Sequence, residues 1–249
     1  MENIKYGTDQ LERHFSQNRV RWDQFYESER VVIEKTWPGC SPAVLDIGCG
    51  CGGLGLALRE RFEAGRYTGV EINPKAAASA RRLYPEARIL SGDFLELKED
   101  CLAPDSFDIV FSLSCIDWNL AFDAMFVKAW TMVKPGGIFV ASLRLTKQAG
   151  VNDVSKSYQY INYEGSLEGE IAPYVVLNAA DLMHRVRMLA GGRRIFAYGY
   201  YGAPSRTAVT PYEELCFAVL AISKSIGDSQ FEAELLLPDD IAAMMLPAR

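Results

Sequence analysis

Histidine is scarce in this chain: there are two in 249 residues, His14 and His184. Neither belongs to an H-E-x-x-H or H-x-x-E pattern, and the acids are dispersed, so no metal site is expected. Six cysteines form no spaced framework, and two of them, Cys49 and Cys51, are too close together to act as a zinc pair. Long apolar runs are missing too. No stretch reaches the ~20 residues of a membrane helix, and Met1–Lys5 has no apolar core of a secretory signal. Reduced thiols and a cytoplasmic location are the expectation. Positive charge is also short, with 26 Lys and Arg against 32 Asp and Glu, a net charge of -6. That balance disfavours non-specific binding to a nucleic acid. The one basic cluster, Arg185, Arg187, Arg193 and Arg194, reads as a solvated helix end. No internal repeat or low-complexity segment appears, and oligomeric state is silent.

What is present is organised around Val44-Leu45-Asp46-Ile47-Gly48-Cys49-Gly50-Cys51-Gly52-Gly53. A short apolar run ends in an acid, a glycine-rich turn follows, and Leu54–Phe62 then reads as a helix. Strand, glycine turn and helix make the nucleoside cradle of a doubly wound α/β fold. Alternation continues beyond it. Strands are expected at 43–48, 67–71, 87–91, 107–112 and 138–143, with helices over 76–84 and 120–133. Two further strands, 193–200 and 215–223, are joined too briefly for a helical crossover and should pair antiparallel. The fold class is α/β, with a doubly wound, seven-stranded, mostly parallel sheet.

Three expected domains divide the chain. Residues 1–40 carry apolar and aromatic residues at helical spacing, a helical cap that serves either as core packing or as a lid. Residues 41–225 form the main domain, with a polar, tyrosine-rich insert at 146–177 containing Tyr158, Tyr160, Tyr163 and Tyr174. The insert shows no period, and such long irregular connections are usually functional or mobile. Residues 226–249 are a tail, either an ordered appendage or a frayed end.

Gly48, Gly50 and Gly53 fit G-x-G-x-x-G, and Glu71 ends the next strand, placed to accept ribose hydroxyls. The pattern suits a dinucleotide or any adenosyl ligand. Asp46 discriminates, because a carboxylate there would repel a pyrophosphate and attract a cationic amine or sulfonium. After the third strand, Asp93 can accept from an adenine amine and Phe94 can stack on the base, or Asp93 can simply cap the turn. Together these favour S-adenosylmethionine as cofactor. A nicotinamide oxidoreductase with the same fingerprint, and a cofactor-binding scaffold without catalysis, are the alternatives.

On Val44–Gly50, Val70–Asn73, Gly92–Phe94, Phe107–Ser112 and Val133–Gly137, the chain resembles class I S-adenosylmethionine-dependent methyltransferases over about residues 40–145. The resemblance implies a last strand running antiparallel. It implies cofactor contacts from Asp46, Gly48, Cys49 and Gly50, from Glu71 and Ile72, from Gly92, Asp93 and Phe94, and from Ser112 and Leu113. No Asn-Pro-Pro-Tyr or Asp-Pro-Pro-Tyr follows the fourth strand, which removes the usual reason to expect base or glutamine methylation. A small-molecule or carbohydrate-like acceptor is the expectation. For a base, the candidates are His14, in the possible lid, and Asp117, after the fourth strand beside Trp118. Asp117 reads equally well as a helix cap.

Overall fold

The computed structural model describes residues 10–39, 41–162, 164–227 and 230–246. Two helices, α1 (Gln10–Asn18) and α2 (Glu27–Thr36), precede the first strand, β1 (Ala43–Ile47). Alternation follows through α3 (Gly53–Phe62), β2 (Arg66–Glu71), α4 (Pro74–Leu83), β3 (Arg88–Ser91), β4 (Phe107–Ser112), α5 (Phe122–Met132) and β5 (Val133–Thr146). Then come β6 (Tyr158–Tyr160), β7 (Ile171–Pro173), β8 (Leu177–Asn178), α6 (Ala179–Met188) and β9 (Gly192–Gly202). The chain closes with β10 (Ala208–Val209), β11 (Leu215–Lys224), β12 (Glu232–Leu236) and α7 (Asp239–Met245).

The main sheet runs β12-β9-β11-β5-β4-β1-β2-β3, with β8 paired to β5. Strands β1 to β5 pair in parallel, and β11 lies antiparallel between β5 and β9. The reversal at β1, between β2 and β4, is a topological switch point, where open sheets bind ligands at the carboxyl ends of their strands. Alternate residues of each strand feed two cores. Leu45, Ile47 and Val110 face α5, α6 and α7, while Val44, Ile109 and Phe111 face α2, α3 and α4. Both faces are covered, which explains the near-continuous apolar strands.

Local chemistry sets the helix starts. The Asn73 side chain accepts from Lys75 N and Ala76 N, with Pro74 in the first turn. Asn178 caps α6 in the same way, accepting from Ala180 N and Asp181 N.

Three features depart from the sequence reading. The sheet has more than seven strands, because the tail adds β12 in parallel on β9 and docks α7 against α6. The tail is therefore an ordered appendage over its described residues. The insert is not structureless: β6 pairs with β7 and with β10 in a small second sheet. And β5 begins at Val133, running through the proline and two glycines that read as a helix stop, with an irregular register against β4.

Candidate functional site

At the carboxyl ends of β1, β2 and β4 lies a cavity of about 340 Å³, within the range of small-molecule sites. Its floor is the glycine turn. Gly48 has a φ of 76°, and a Cβ there would overlap the Cys115 thiol. Gly53 abuts the backbone carbonyl of Arg19, so no side chain fits at the start of α3. The glycines thus serve the packing of neighbouring segments as well as the turn.

Asp46 ends β1 on the cavity wall and is 3% exposed. Register pairs Asp46 with Gly69, which puts Tyr67 diagonally opposite on the same face. The Tyr67 hydroxyl donates to Asp46 Oδ2 at 2.5 Å. Burial raises the Asp46 carboxyl to about 7, partly opposed by the Tyr67 bond and by Arg19, with Glu71 and Glu29 pushing the same way as burial. Glu71, also buried and on the wall, accepts from Gly50 N (2.8 Å) and from Asn73 N (2.8 Å). A backbone bond from Ile72 adds to these, and the carboxylate keeps acceptor capacity. Burial raises its carboxyl too, against the pull of those backbone donors.

Other expected cofactor residues divide. Gly48, Cys49, Gly50, Ile72, Gly92, Phe94 and Leu113 line the cavity. Asp93 and Ser112 do not. Asp93 Oδ1 accepts from Leu95 N at 2.9 Å, a turn cap, and Ser112 Oγ accepts from Ile116 N at 3.2 Å. Ser112 instead shapes the loop after β4. In that loop Ser114 adopts a φ of 50°, and its N–H donates to Ser142 Oγ on β5. This tight path turns Leu113, Ser114, Cys115, Trp118 and Asn119 towards the cavity.

The same path turns Asp117 away. Asp117 is 3% exposed and does not line the cavity. It pairs at 3.2 Å with Arg144 of β5, which also donates to the Asp117 carbonyl. The Arg144 guanidinium packs against both the Trp118 and Tyr174 rings, 4.3 and 3.7 Å from their centroids. Asp117, expected as a base on an acceptor, sits off the cavity wall in an ion pair with Arg144, whose guanidinium packs against Trp118. Asp117 is not the cap of α5 either, since Asn119 Oδ1 accepts from Ala121 N.

Two segments outside the main sheet roof the cavity. From the N-terminal side come Leu11, His14, Phe15, Arg19, Phe25 and Tyr26; from β6 and the residues after it come Gln159, Tyr160, Ile161 and Asn162. Phe15 packs over Gly50. Arg19 Nη2 binds both oxygens of Glu29, at 2.9 and 3.0 Å, and its guanidinium covers the Phe25 ring. Glu29 is fully buried and also holds Tyr26 N, so this pair fixes the turn into α2. Trp22 and Trp37 pack instead on Phe62 of α3. The aromatic stripe therefore supplies both core packing and cavity wall. Of the insert tyrosines, Tyr160 faces the cavity, Tyr158 packs on it edge-on, Tyr174 is buried against Arg144, and Tyr163 lies outside the described residues.

His14 reaches the cavity, but its bonding limits its role. Asn18 Nδ2 lies 3.1 Å from the His14 carbonyl and 3.3 Å from His14 Nδ1. A carbonyl only accepts, so the amide nitrogen must face it, and the same NH₂ donates to Nδ1. Neutral His14 then carries its proton on Nε2. Burial, and then Arg19, hold it below the usual histidine range. His184 lies exposed on α6.

Sequence reasoning missed Arg19, Glu29 and the Gln159–Asn162 wall. The only signal for the first pair was an Arg ten residues before a Glu, which is silent without the intervening turn. Among the described residues no cluster of His, Cys, Asp and Glu can hold a metal ion, and no helix is long and apolar enough to cross a membrane. Of the basic cluster, Arg185 pairs with Asp123, Arg187 donates to Met245 O, and Arg194 pairs with Glu232.

A family model described as a methyltransferase domain matches residues 44–137. Trans-aconitate 2-methyltransferase of Escherichia coli is 24% identical over 100 residues, covering 40% of this chain and 38% of that relative. Among solved structures, a SAM-dependent methyltransferase of Methanosarcina mazei superposes with a TM-score of 0.60 at 15% identity, over 82% of this chain and 99% of that one. Phosphoethanolamine N-methyltransferase 2 of Haemonchus contortus, in complex with S-adenosyl-L-methionine, gives 0.60 at 16%, over 86% of this chain and 56% of that one. The matched span holds the glycine turn, Asp46, Glu71 and the loop after β4: over these residues the chain is similar to a methyltransferase domain, and its sheet shares the fold of the solved structures.

Proposed function

We propose that the chain binds S-adenosylmethionine in this cavity and methylates a small-molecule acceptor. The observation that carries the reading is the pair Asp46 and Glu71, two buried carboxylates on one cavity wall above a glycine turn. Asp46 suits a cation. A pyrophosphate beside it would meet repulsion at short range, which argues against a dinucleotide. Glu71 has lone pairs left for two ribose hydroxyls, and Phe94 is placed to meet an adenine ring. The relative named for trans-aconitate supports a small acceptor.

When bound, the cofactor supplies a methyl group on a sulfonium, already activated for transfer. The protein's part is then to hold, orient and dry the reactants. Asp46 and Glu71 hold charge and ribose, and Gly48–Gly50 bring backbone close. The loop after β4 supplies Leu113 and Trp118 as walls, and Phe15, Tyr26 and Tyr160 line the roof. Desolvation at such a site strengthens each remaining polar contact.

Isothermal calorimetry with S-adenosylmethionine and S-adenosylhomocysteine, followed by transfer of a labelled methyl group to an acceptor panel, tests the proposal. Binding of both with turnover of some acceptor is expected. Binding of NADH in their place overturns it.

A further inference from the structure

Arg19 stands on the cavity wall with more donors than the protein uses. Its place is set before any ligand arrives. The Arg19 carbonyl occupies the space a side chain on Gly53 would need, against the start of α3. Gln24 Oε1 accepts from Val20 N and from Arg21 N, both at 2.9 Å, and so closes the turn that follows. The guanidinium covers the Phe25 ring at 4.5 Å and the Tyr26 ring at 5.4 Å. Its Nη2 is spent on the two oxygens of buried Glu29. A guanidinium carries five N–H groups. The three on Nε and Nη1 have no acceptor among the described residues, and 15% of the side-chain surface stays open.

Once a ligand displaces water from this wall, those donors carry a cost unless the ligand brings an acceptor. A neutral oxygen would satisfy the hydrogen bonds. An anion also uses the charge, and bonds of that kind are roughly twice as strong. Arg19 and Asp46 line the same cavity and feel each other, since Arg19 pulls the Asp46 carboxyl down against burial. The wall thus offers one cation and one carboxylate to whatever lies between them. An α-amino acid end, with its ammonium and carboxylate, matches that pair in sign; an acceptor carboxylate matches Arg19 alone. Resting on the methyltransferase reading above, we propose that Arg19 is the carboxylate-binding residue of this cavity, donating from Nε and Nη1 to a ligand carboxylate while Nη2 stays on Glu29. Glu29 is then a positioning residue, which fixes the guanidinium and leaves those two nitrogens to the ligand. The carboxylate belongs to the amino-acid end of the cofactor or to the acceptor, one chemistry from two sources.

Two matched comparisons on the full chain separate the sources. Calorimetry with S-adenosylhomocysteine and its decarboxylated analogue reads the cofactor. Ligand-observed NMR titration of small carboxylic acids and their primary amides, on the chain saturated with S-adenosylhomocysteine, reads the acceptor. In at least one comparison the carboxylate member should bind about tenfold more tightly or better. Arg19→Gln combined with Glu29→Gln discharges both partners together and strands no buried carboxylate. It should erase the preference while affinity for the neutral member holds. If the double variant does not fold, Arg19→Lys carries the same test, because it keeps a cation for Glu29 but has no nitrogen at the Nε and Nη1 positions; it too should lose most of the preference. Loss in the adenosyl comparison assigns the carboxylate to the cofactor, and loss in the acid–amide comparison assigns it to the acceptor. No carboxylate preference in either, or a preference untouched by these variants, overturns the proposal. Silence of both adenosyl ligands with the native chain overturns the methyltransferase reading instead, and the acid–amide series on the free chain then decides the role of Arg19 by itself.

Discussion

Asp46 is a buried carboxylate held by a phenol, Tyr67, and this gives it a measurable pH signature. Its proton is held up to about 7 by burial. A cationic ligand selects the ionised form, so affinity for S-adenosylmethionine should fall as pH drops below about 7, with proton release on binding near pH 6. Tyr67→Phe removes the bond that favours ionisation and should move that midpoint upward; Asp46→Asn should abolish it. Calorimetry in buffers of differing ionisation heat reads both. Glu71→Ala should weaken binding about tenfold or more, on the ~1.5–3 kcal/mol scale of charged hydrogen bonds. Asp117→Ala separates anchoring from chemistry. It leaves Arg144 buried without its partner, so chemical denaturation should show a loss of about 3–5 kcal/mol, while affinity for S-adenosylhomocysteine holds. A large drop in cofactor affinity at unchanged stability would return Asp117 to the site.

The elements show how far sequence carries. Strand, glycine turn and helix were legible because each rests on local chemistry: β-branched runs, glycines with positive φ, Asn and Pro at helix starts. That Asp46, Glu71 and Phe94 would reach one cavity wall was legible for the same reason, since they lie at or just past strand ends. The pairing of Asp117 with Arg144, 27 residues away on β5, was not legible, because no local spacing announces it. The insert hid its strands because three-residue strands paired to a distant two-residue strand leave no periodic trace. At the N-terminus, Arg19 and Glu29 hold the roof segment onto the turn before α2. Arg19→Ala strands Glu29 in the interior and should lower stability by about 2–4 kcal/mol, the partial exposure of Arg19 tempering the full penalty. For a chain of this size that is a fall of roughly 5–15 °C in Tm, measurable by scanning calorimetry.

The main sheet is an eight-strand path with a core on each face, and ligand and fold are linked through its central strand. In the unliganded protein the raised Asp46 carboxyl favours the folded state below about pH 4, and that contribution is lost as pH rises through about 7. A cation beside Asp46 removes the penalty, so stabilisation by S-adenosylmethionine should be larger at pH 8 than at pH 6. At a hundredfold excess over Kd the ligand adds about 2.7 kcal/mol. The most direct test of the central claim is one calorimetric titration series, with S-adenosylmethionine against the full chain from pH 6 to pH 8. One-to-one binding that tightens with pH and is lost at least tenfold in Glu71→Ala is the predicted result. Absence of heat and of any thermal shift, or affinity indifferent to Glu71 and to pH, would contradict it.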